Sequence, residues 1–239
     1  MPGPWLVIPT YDERPNIEAF VRAVLPHMST AGGRMLIVDD SSPDGTGEIA
    51  DALAAEHEEL EVIHRAEKDG LGRAYLAGFR RALEGGADLV LQMDADLSHD
   101  PADIPRLIEA AGRVDLVLGS RYVEGGGVRD WGLFRRALSR GGSLYARTVL
   151  GVEVRDLTGG FKCWRRRVLE DIHLERVQAD GYGFQIDTTY RAIRAGFRVE
   201  EIPIVFTERV LGSSKMTTRI ALEAVWKVPD LRRRVRSLR

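Results

Sequence analysis

Short apolar runs alternate with longer amphipathic stretches through the first half of the chain. The runs predict buried strands, and they lie at residues 5–9, 35–40, 60–64, 90–94 and 115–119. The stretches between them carry helix signals, such as Pro15 at the first position of a predicted helix. This alternation is typical of stacked βαβ units, so we expect an α/β domain with a mostly parallel sheet flanked by helices.

Two carboxylates, Asp94 and Asp96, follow the apolar run at residues 90–93. A buried strand in such a sheet delivers the residues after it to the carboxyl edge, where ligand sites form. Both side chains point the same way if strand geometry persists through them. Their oxygens suit Mg²⁺ or Mn²⁺, which complete their shells with water and substrate phosphates. The alternative is a solvated turn before the next helix, with Asp100 and Pro101 as the start signal.

Other polar residues fall at the ends of predicted strands or in loops. Asp40 can accept a hydrogen bond from a ribose hydroxyl or cap the following turn. Arg121 can clamp a phosphate with its guanidinium group. Arg209 and Lys215 bracket a polar loop that can close over a diphosphate, or each is a solvated surface cation. No G-x-G-x-x-G follows the first strand and no Walker A lysine is present, which argues against the usual dinucleotide and triphosphate folds.

Of three further residues, His99 and Asp187 keep more than one interpretation, and Cys163 has one. His99 is either a third metal ligand or a structural histidine. Asp187 is a base, a positioning group, or a helix-face acid paired with Arg191 at i,i+4. Cys163, the single cysteine, is expected in the core; it excludes an internal disulfide framework and fits a reducing compartment.

Composition changes this interpretation little. The chain has 239 residues, 44% of them hydrophobic and 29% charged, which is ordinary for a globular protein. A net charge of −2 gives no overall basic field for nucleic-acid binding. No signal peptide is evident and no apolar run approaches the ~20 residues of a spanning helix, so we expect a soluble or peripheral protein.

The second half of the chain suggests contact with a membrane surface. Aromatic, aliphatic and arginine residues alternate at near-helical spacing over residues 131–150, a composition typical of a helix lying in a bilayer interface. The alternative is a core-packed helix. We expect the main domain to cover residues 1–215, followed by a basic, helical C-terminal tail at 216–239 that faces the membrane, with its helix ending at Pro229. Its end is rich in arginine: Arg232, Arg233, Arg234, Arg236 and Arg239.

Several stretches together resemble the family-2 glycosyltransferases with the GT-A fold, and within them the polyprenol-phosphate (dolichol-phosphate) mannose synthases. The matching stretches are PTYDER at 9–14, VDDSSPDGT at 38–46, GLGRAY at 70–75, MDADLSH at 93–99, GSRY at 119–122, DLTG at 156–159, GYGFQID at 181–187 and ERVLGSSK at 208–215. Their order and their spread over most of the chain make this resemblance more specific than any one motif.

The resemblance implies a role for particular residues. Those that would cradle the guanosine of GDP-mannose are Pro9, Tyr11, Glu13, Val38 and Asp40. Those that would hold the sugar diphosphate are Asp94, Ala95 and Asp96, and the cation would sit on Asp94 and Asp96. Arg121 would bind phosphate at the acceptor side, while Arg209 and Lys215 would grip the donor diphosphate. Asp94, Asp96 and Arg121 are the expected catalytic residues.

The resemblance also implies the reaction and its partners. The expected enzyme transfers mannose from GDP-mannose to a polyprenyl monophosphate with inversion, using Mg²⁺ or Mn²⁺. It would work at the cytoplasmic face of the plasma membrane, as a peripheral protein or with a membrane-anchored protein partner. Two alternatives remain, a related transferase that uses UDP-glucose or another donor, and a catalytically silent subunit that recruits a partner to lipid.

Overall fold

The computed structural model describes residues 3–177, 181–208 and 218–236. Its strands are β1 Trp5–Thr10, β2 Arg34–Asp39, β3 Leu60–His64, β4 Leu89–Gln92, β5 Leu116–Ser120, β6 Gly127–Val128, β7 Lys162–Arg165, β8 Val199–Pro203 and β9 Val205–Phe206. Its helices are α1 Ile17–Thr30, α2 Thr46–Glu56, α3 Leu71–Glu84, α4 Ile104–Ala111, α5 Leu133–Leu150, α6 Arg166–Asp171, α7 Tyr182–Arg194 and α8 Thr218–Arg236.

Seven strands form one sheet in the order β3-β2-β1-β4-β7-β5-β8. All neighbouring pairs are parallel except those of β7, which runs antiparallel to β4 and to β5. The mostly parallel α/β sheet is therefore confirmed, but the sequence interpretation missed β7. Its four residues, Lys-Cys-Trp-Arg, begin and end with a cation and show neither a long apolar run nor a clear alternation. A separate two-stranded ribbon pairs β6 with β9.

Helices cover both faces of this sheet, and side chains alternate between them along each strand. In β1, Leu6 and Ile8 join a core beneath α1, α2 and α4, whereas Trp5 and Val7 join the opposite core. That second core contains buried residues of α3, α5, α6, α7 and α8. Cys163 is buried on the first face, as predicted.

Helix α3 approaches the sheet closely enough to require glycine at position 78. A Cβ on Gly78 would lie 2.2 Å from Val7 Cγ1 and 3.1 Å from Val38 Cγ2. Such contacts force backbone shifts in a well-packed core. The small face of α3 therefore holds this helix tightly against β1 and β2.

The C-terminal helix differs from the sequence expectation. Helix α8 does not end at Pro229 but continues to Arg236. Proline inside a helix costs ~3 kcal/mol. Burial of Val228, Leu231 and Val235 in the core that contains α5 and α7 offsets that cost. Within the part of the chain that is described, no helix is both long and apolar enough to cross a bilayer.

Candidate active site

The carboxylates predicted as the centre of the site lie in a turn after β4. The strand ends at Gln92, so strand geometry does not persist through Asp94 and Asp96, and the expectation that it aligns them was wrong. Asp96 is buried, and its Oδ1 accepts the backbone N–H of Ser98 at 3.0 Å. Asp94 is half-buried, and its Oδ1 accepts the hydroxyl of Tyr75 at 3.2 Å. Each carboxylate is thus held by a specific donor.

Backbone strain marks the loops at this edge of the sheet. Asp12, Ser41 and Leu97 follow β1, β2 and β4, and their φ angles are +56°, +56° and +57°. A left-handed conformation is costly for residues other than glycine, on the order of 1–3 kcal/mol each, and tends to persist at functional sites. For a leucine it is a clear outlier. The three loops therefore share a shape that their sequences do not favour.

The donor groups at this turn fit a divalent cation that is completed by substrate. Asp94 and Asp96 supply hard carboxylate oxygens. Among the described residues no group of three His, Cys, Asp or Glu side chains is arranged to hold a metal. Magnesium and manganese commonly take one or two carboxylates and fill the remaining positions with phosphate oxygens and water. The turn suits a cation that arrives with a diphosphate rather than a permanent protein-enclosed metal.

His99 does not complete this metal site. Its ring packs against Phe161 and Phe206, with both ring centroids 5.0 Å away. Among the described residues neither ring nitrogen has a hydrogen-bond partner, and burial lowers the pKa of His99 to about 4. His99 is thus a neutral core residue, and the structural interpretation of this residue is the correct one.

The loops after β1 and β2 lie beside this turn because β1 sits between β2 and β4. Asp40 is buried there and pairs with Arg65, Nη1 to Oδ1, at 2.6 Å. Burial raises the pKa of Asp40 even though the guanidinium group opposes it. The Lys68 ammonium lies 3.4 Å from the centre of the Tyr11 ring. Two cations from the loop after β3 therefore contact two of the predicted nucleoside-binding residues.

The capping role considered for Asp40 belongs to its neighbours. Ser42 donates its backbone N–H to Asp39 Oδ2 at 3.0 Å and its hydroxyl to Asp39 Oδ1 at 2.6 Å. Asp44 accepts the backbone N–H of Thr46 at 3.0 Å, at the start of α2. Asp39 and Asp44 therefore organise the turn, and Asp40 does not.

The remaining predicted nucleoside residues lie on the same edge. Pro9 and Val38 lie in β1 and β2, and they are adjacent in the strand register. Glu13 donates its backbone N–H to Thr46 Oγ1 at 3.0 Å, and its Oε2 accepts from Asn16 at 2.8 Å. The loops after β1 and β2 are thus joined directly.

The antiparallel direction of β7 brings another loop to this edge. Because β7 runs opposite to β4 and β5, the residues before it meet the residues after those strands. A Cβ on Gly160 would lie 3.3 Å from Asp94 Oδ2, and one on Gly159 would lie 3.2 Å from the Gly119 carbonyl oxygen. The Asp-Leu-Thr-Gly-Gly stretch at 156–160 is therefore part of the site.

Arg121 is buried and forms an ion pair with Asp156 in that stretch. Its Nε and Nη2 each donate to the Asp156 carboxylate at 2.7 Å, and Nη2 also donates to Thr158 Oγ1 at 2.9 Å. The Arg121 guanidinium lowers the pKa of Asp156 against the opposing effect of burial. The structure thus shows that Asp156 is a carboxylate partner of Arg121. The predicted role of Arg121 in binding a phosphate stays a prediction.

Hydroxyl and aromatic groups surround Arg121. Tyr122 donates to Ser139 Oγ at 2.6 Å, so a buried serine of α5 faces this cluster. The Arg121 guanidinium lies 5.6 Å from the ring centres of Trp131 and Phe206. Trp131 is therefore buried in the site. The sequence pattern had suggested that it belongs to an exposed helix face, and it does not.

Asp187 lies away from solvent on α7. Its Oδ1 pairs with Arg191 Nε at 2.6 Å, and both side chains are buried. This is the i,i+4 pair that the sequence offered as one alternative. The other two predicted cations, Arg209 and Lys215, lie outside the described residues.

With this geometry in place, residues 5–173 match the sequence profile of Glycosyl transferase family 2. The chain belongs to glycosyl transferase family 2. Its resemblance to this family in the sequence is therefore confirmed. The match covers the strands and loops that form the site, including the Asp-x-Asp turn and the loop before β7.

Two curated relatives within this family are similar over most of their length. An undecaprenyl-phosphate mannosyltransferase of Micrococcus luteus is 47% identical over 93% of this chain and 90% of its own. A polyprenol monophosphomannose synthase of Mycolicibacterium smegmatis is 48% identical over 94% of this chain and 85% of its own.

Solved structures share the fold at low sequence identity. A glucosyl-3-phosphoglycerate synthase from Mycobacterium tuberculosis, solved with Mn²⁺, UDP and phosphoglyceric acid, has a TM-score of 0.70 at 19% identity, covering 97% of this chain and 78% of that one. A mannosyltransferase from Pyrobaculum calidifontis, solved with GDP-mannose and Mn²⁺, has a TM-score of 0.64 at 20% identity, covering 95% and 63%. These likenesses confirm the expected glycosyltransferase fold.

Sequence reasoning missed several residues of the site. Tyr75, Arg65 and Asp156 contact Asp94, Asp40 and Arg121, but they lie 19, 25 and 35 positions from those residues in sequence. Spacing rules for helices and strands do not reach such separations. The glycine pair in the stretch 156–160 was one local signal, because glycine often marks a close approach of backbone to another group. The family resemblance also included Tyr75 and Asp156 in its matching stretches, without a role for either.

The buried Arg121–Asp156 pair generates a stability prediction. Asp156→Ala leaves a buried guanidinium without its carboxylate, and we expect it to lower the free energy of unfolding by ~3–5 kcal/mol at pH 7. Because the pKa of Asp156 is lowered in the folded state, this difference should shrink as the pH falls below the ordinary value of 3.8. Urea unfolding at several pH values measures both effects.

Glu170→Ala is the matched control for that variant. Glu170 pairs with Arg166 on the surface, with 47% of its side chain exposed. Such exposed pairs contribute less than ~1 kcal/mol. An equal loss of stability in both variants would contradict the assignment of Arg121–Asp156 as the structural ion pair of the site.

Proposed function

We propose that this enzyme transfers mannose from GDP-mannose to a polyprenyl monophosphate, giving polyprenyl-phosphate mannose and GDP. Identity of 47% and 48% to two curated relatives with that class of acceptor supports the assignment. Each comparison spans more than nine tenths of this chain. Membership of the family supports glycosyl transfer as the reaction. The names of the two relatives support mannose as the sugar and a polyprenyl phosphate as the acceptor.

The observation that carries the proposal is the shared edge of the sheet where three kinds of group meet. Tyr11 and Asp40 lie after β1 and β2, the Asp94–Asp96 turn lies after β4, and Arg121 lies after β5. This order provides for a nucleoside, a diphosphate and a second phosphate in sequence along one edge. We assign Pro9, Glu13, Val38 and Ala95 to the donor side of that edge as well.

The electrostatics suit direct displacement at the sugar carbon. The second pKa of a phosphate monoester is ~6, so the attacking oxygen is already ionised at neutral pH and needs little help from a general base. Asp187, buried and paired with Arg191, is consequently assigned a structural role. A divalent cation bound at Asp94 and Asp96 would neutralise charge on the departing diphosphate. Arg121 is assigned to the acceptor phosphate, and Arg209 and Lys215 to the donor diphosphate.

Site geometry alone does not distinguish guanine from uracil, so the donor must be measured. The test is a screen of sugar nucleotides with short-chain polyprenyl phosphate and Mg²⁺ or Mn²⁺, scoring lipid-linked sugar. We expect transfer from GDP-mannose that EDTA abolishes. We expect Asp96→Ala to abolish it as well, while Asp187→Asn, which alters the acid on α7, retains measurable activity.

The other outcomes of this screen overturn parts of the proposal. Transfer from UDP-glucose or another donor would keep the mechanism and replace the substrate. GDP binding without transfer from any donor would favour a silent subunit that recruits a partner. Equal loss in Asp96→Ala and Asp187→Asn would contradict a mechanism without a general base.

We also propose that helices α5 and α8 rest on the membrane surface that holds the acceptor. Within the described chain, the large apolar side chains that are most exposed all lie on these two helices: Leu133, Phe134, Leu144 and Trp226. The exposed side of α5 also carries Arg136 and Arg140. Apolar and cationic side chains together are typical of helices that bind an anionic bilayer interface. The cytoplasmic leaflet is the expected surface, and the protein is expected to be peripheral there.

Membrane binding can be tested by sedimentation with vesicles that contain anionic lipid. The double variant Leu133→Ser, Phe134→Ser removes two exposed apolar groups, each worth ~1.5–3 kcal/mol when fully buried. We expect its partition coefficient to fall by at least about tenfold, since ~1.4 kcal/mol is a factor of ten. Arg22→Ser, on the opposite face of the sheet, is the control that removes a cation. Equal sedimentation of all three proteins at low salt would contradict this docking face.

A further inference from the structure

A buried tyrosine contacts one of the two carboxylates of the site. Tyr75 lies on α3 and is fully buried, and its hydroxyl donates to Asp94 Oδ1 at 3.2 Å. Asp94 itself is half-buried, and its other oxygen, Oδ2, lies beside the loop before β7. The contact joins the hydrophobic core around α3 to the edge of the sheet that carries the site.

The ring of Tyr75 is held rigidly. It stacks on Phe184 of α7 with a centroid distance of 5.7 Å and an angle of 4°, and it contacts Phe79 at 5.7 Å. Helix α3 is in turn fixed by Gly78, which has no room for a Cβ against Val7. A side chain locked in this way presents its hydroxyl at one position and in one direction.

The loop before β7 bounds the other side of the same carboxylate. A Cβ on Gly160 would lie 3.3 Å from Asp94 Oδ2 and 3.5 Å from Oδ1. The 3.3 Å separation is tighter than most contacts of a real Cβ, so a side chain there would press on Oδ2, whereas 3.5 Å from Oδ1 is ordinary contact. Tyr75 and Gly160 therefore constrain the Asp94 carboxylate from two different elements of the fold.

We propose that Tyr75 is a positioning residue that sets the orientation of the Asp94 carboxylate for the cation and donor diphosphate, and that Gly160 leaves the space this orientation needs. The inference rests on the proposed function, because it assigns Asp94 to the cation. Groups that hydrogen-bond to a metal-binding carboxylate fix its orientation, and their loss typically weakens metal affinity or activity by ~10–100-fold. A buried hydroxyl also needs an acceptor for structural reasons alone. The test therefore measures Mn²⁺ affinity, which a purely structural contact would not change.

The test compares Tyr75→Phe with the wild-type protein by titrating Mn²⁺ in the presence of GDP and following the spin-resonance signal of free Mn²⁺. This substitution removes one oxygen and keeps the ring that stacks on Phe184. We expect the dissociation constant of Mn²⁺ to rise by ~10–100-fold. Transfer activity should recover when Mn²⁺ is raised, which a general loss of folding does not allow.

Tyr190→Phe is the matched control, because Tyr190 is another buried tyrosine, on α7. Both variants delete a phenol oxygen, and only Tyr75→Phe is expected to change Mn²⁺ affinity. Gly160→Ala provides a second perturbation of Asp94 that leaves the core ring cluster intact. If Tyr75→Phe does not fold, a raised dissociation constant of Mn²⁺ in Gly160→Ala supports the constrained orientation of Asp94, and an unchanged one overturns it.

The outcomes separate this inference from the proposed function. Mn²⁺ affinity within about twofold of wild type in Tyr75→Phe, or an equal loss in Tyr190→Phe, overturns the positioning role even if the wild-type protein transfers mannose. Wild-type protein that binds Mn²⁺ with GDP but transfers a different sugar overturns the donor assignment and leaves the role of Tyr75 intact.

Discussion

The site depends on holding several carboxylates together at one edge of the sheet. Asp39 ends β2, Asp40 follows it, Asp94 and Asp96 follow β4, and Asp156 precedes β7; most of the five are buried. Burying a charge is costly unless it is paired or hydrogen-bonded. The fold meets this cost with a different partner at each position: hydroxyl groups at Asp39, arginines at Asp40 and Asp156, a phenol at Asp94 and a backbone N–H at Asp96. The contacts of Asp40, Asp94 and Asp156 join segments that are 25, 19 and 35 positions apart in sequence.

The hydrogen-bond and ion-pair partners of these carboxylates suit the glycosyl transfer that the family performs. Asp156 is paired with the buried Arg121, the residue that we assign to the acceptor phosphate. Asp94 accepts a hydroxyl and Asp96 accepts a backbone amide, and both are neutral donors that orient a carboxylate. A carboxylate held in this way can still attract a cation that carries a diphosphate. Strain at Asp12, Ser41 and Leu97 is consistent with loops shaped for ligand contact.

Much of the fold was predictable from the sequence because short apolar runs and amphipathic stretches alternate through the first half. The strands through β5 and the Asp-x-Asp turn followed from that pattern. Strand β7 was missed because its four residues begin and end with a cation, and they lie between two neighbouring strands of the sheet. The helix through Pro229 was missed for a similar reason: tertiary packing of Val228 and Leu231 outweighs the local effect of proline. Residues of the site that act through long-range contacts, such as Tyr75 and Arg65, carry no local signal.

The central claim is that the turn after β4 binds a divalent cation together with the donor diphosphate. The most direct measurement is a crystal structure with GDP and Mn²⁺, in which anomalous scattering locates the metal. The account predicts a peak at ordinary oxygen-ligand distance, about 2.0–2.3 Å, from a carboxylate oxygen of Asp96 and from diphosphate oxygens. A metal peak elsewhere in the molecule, or GDP bound with its diphosphate away from this turn, would contradict it.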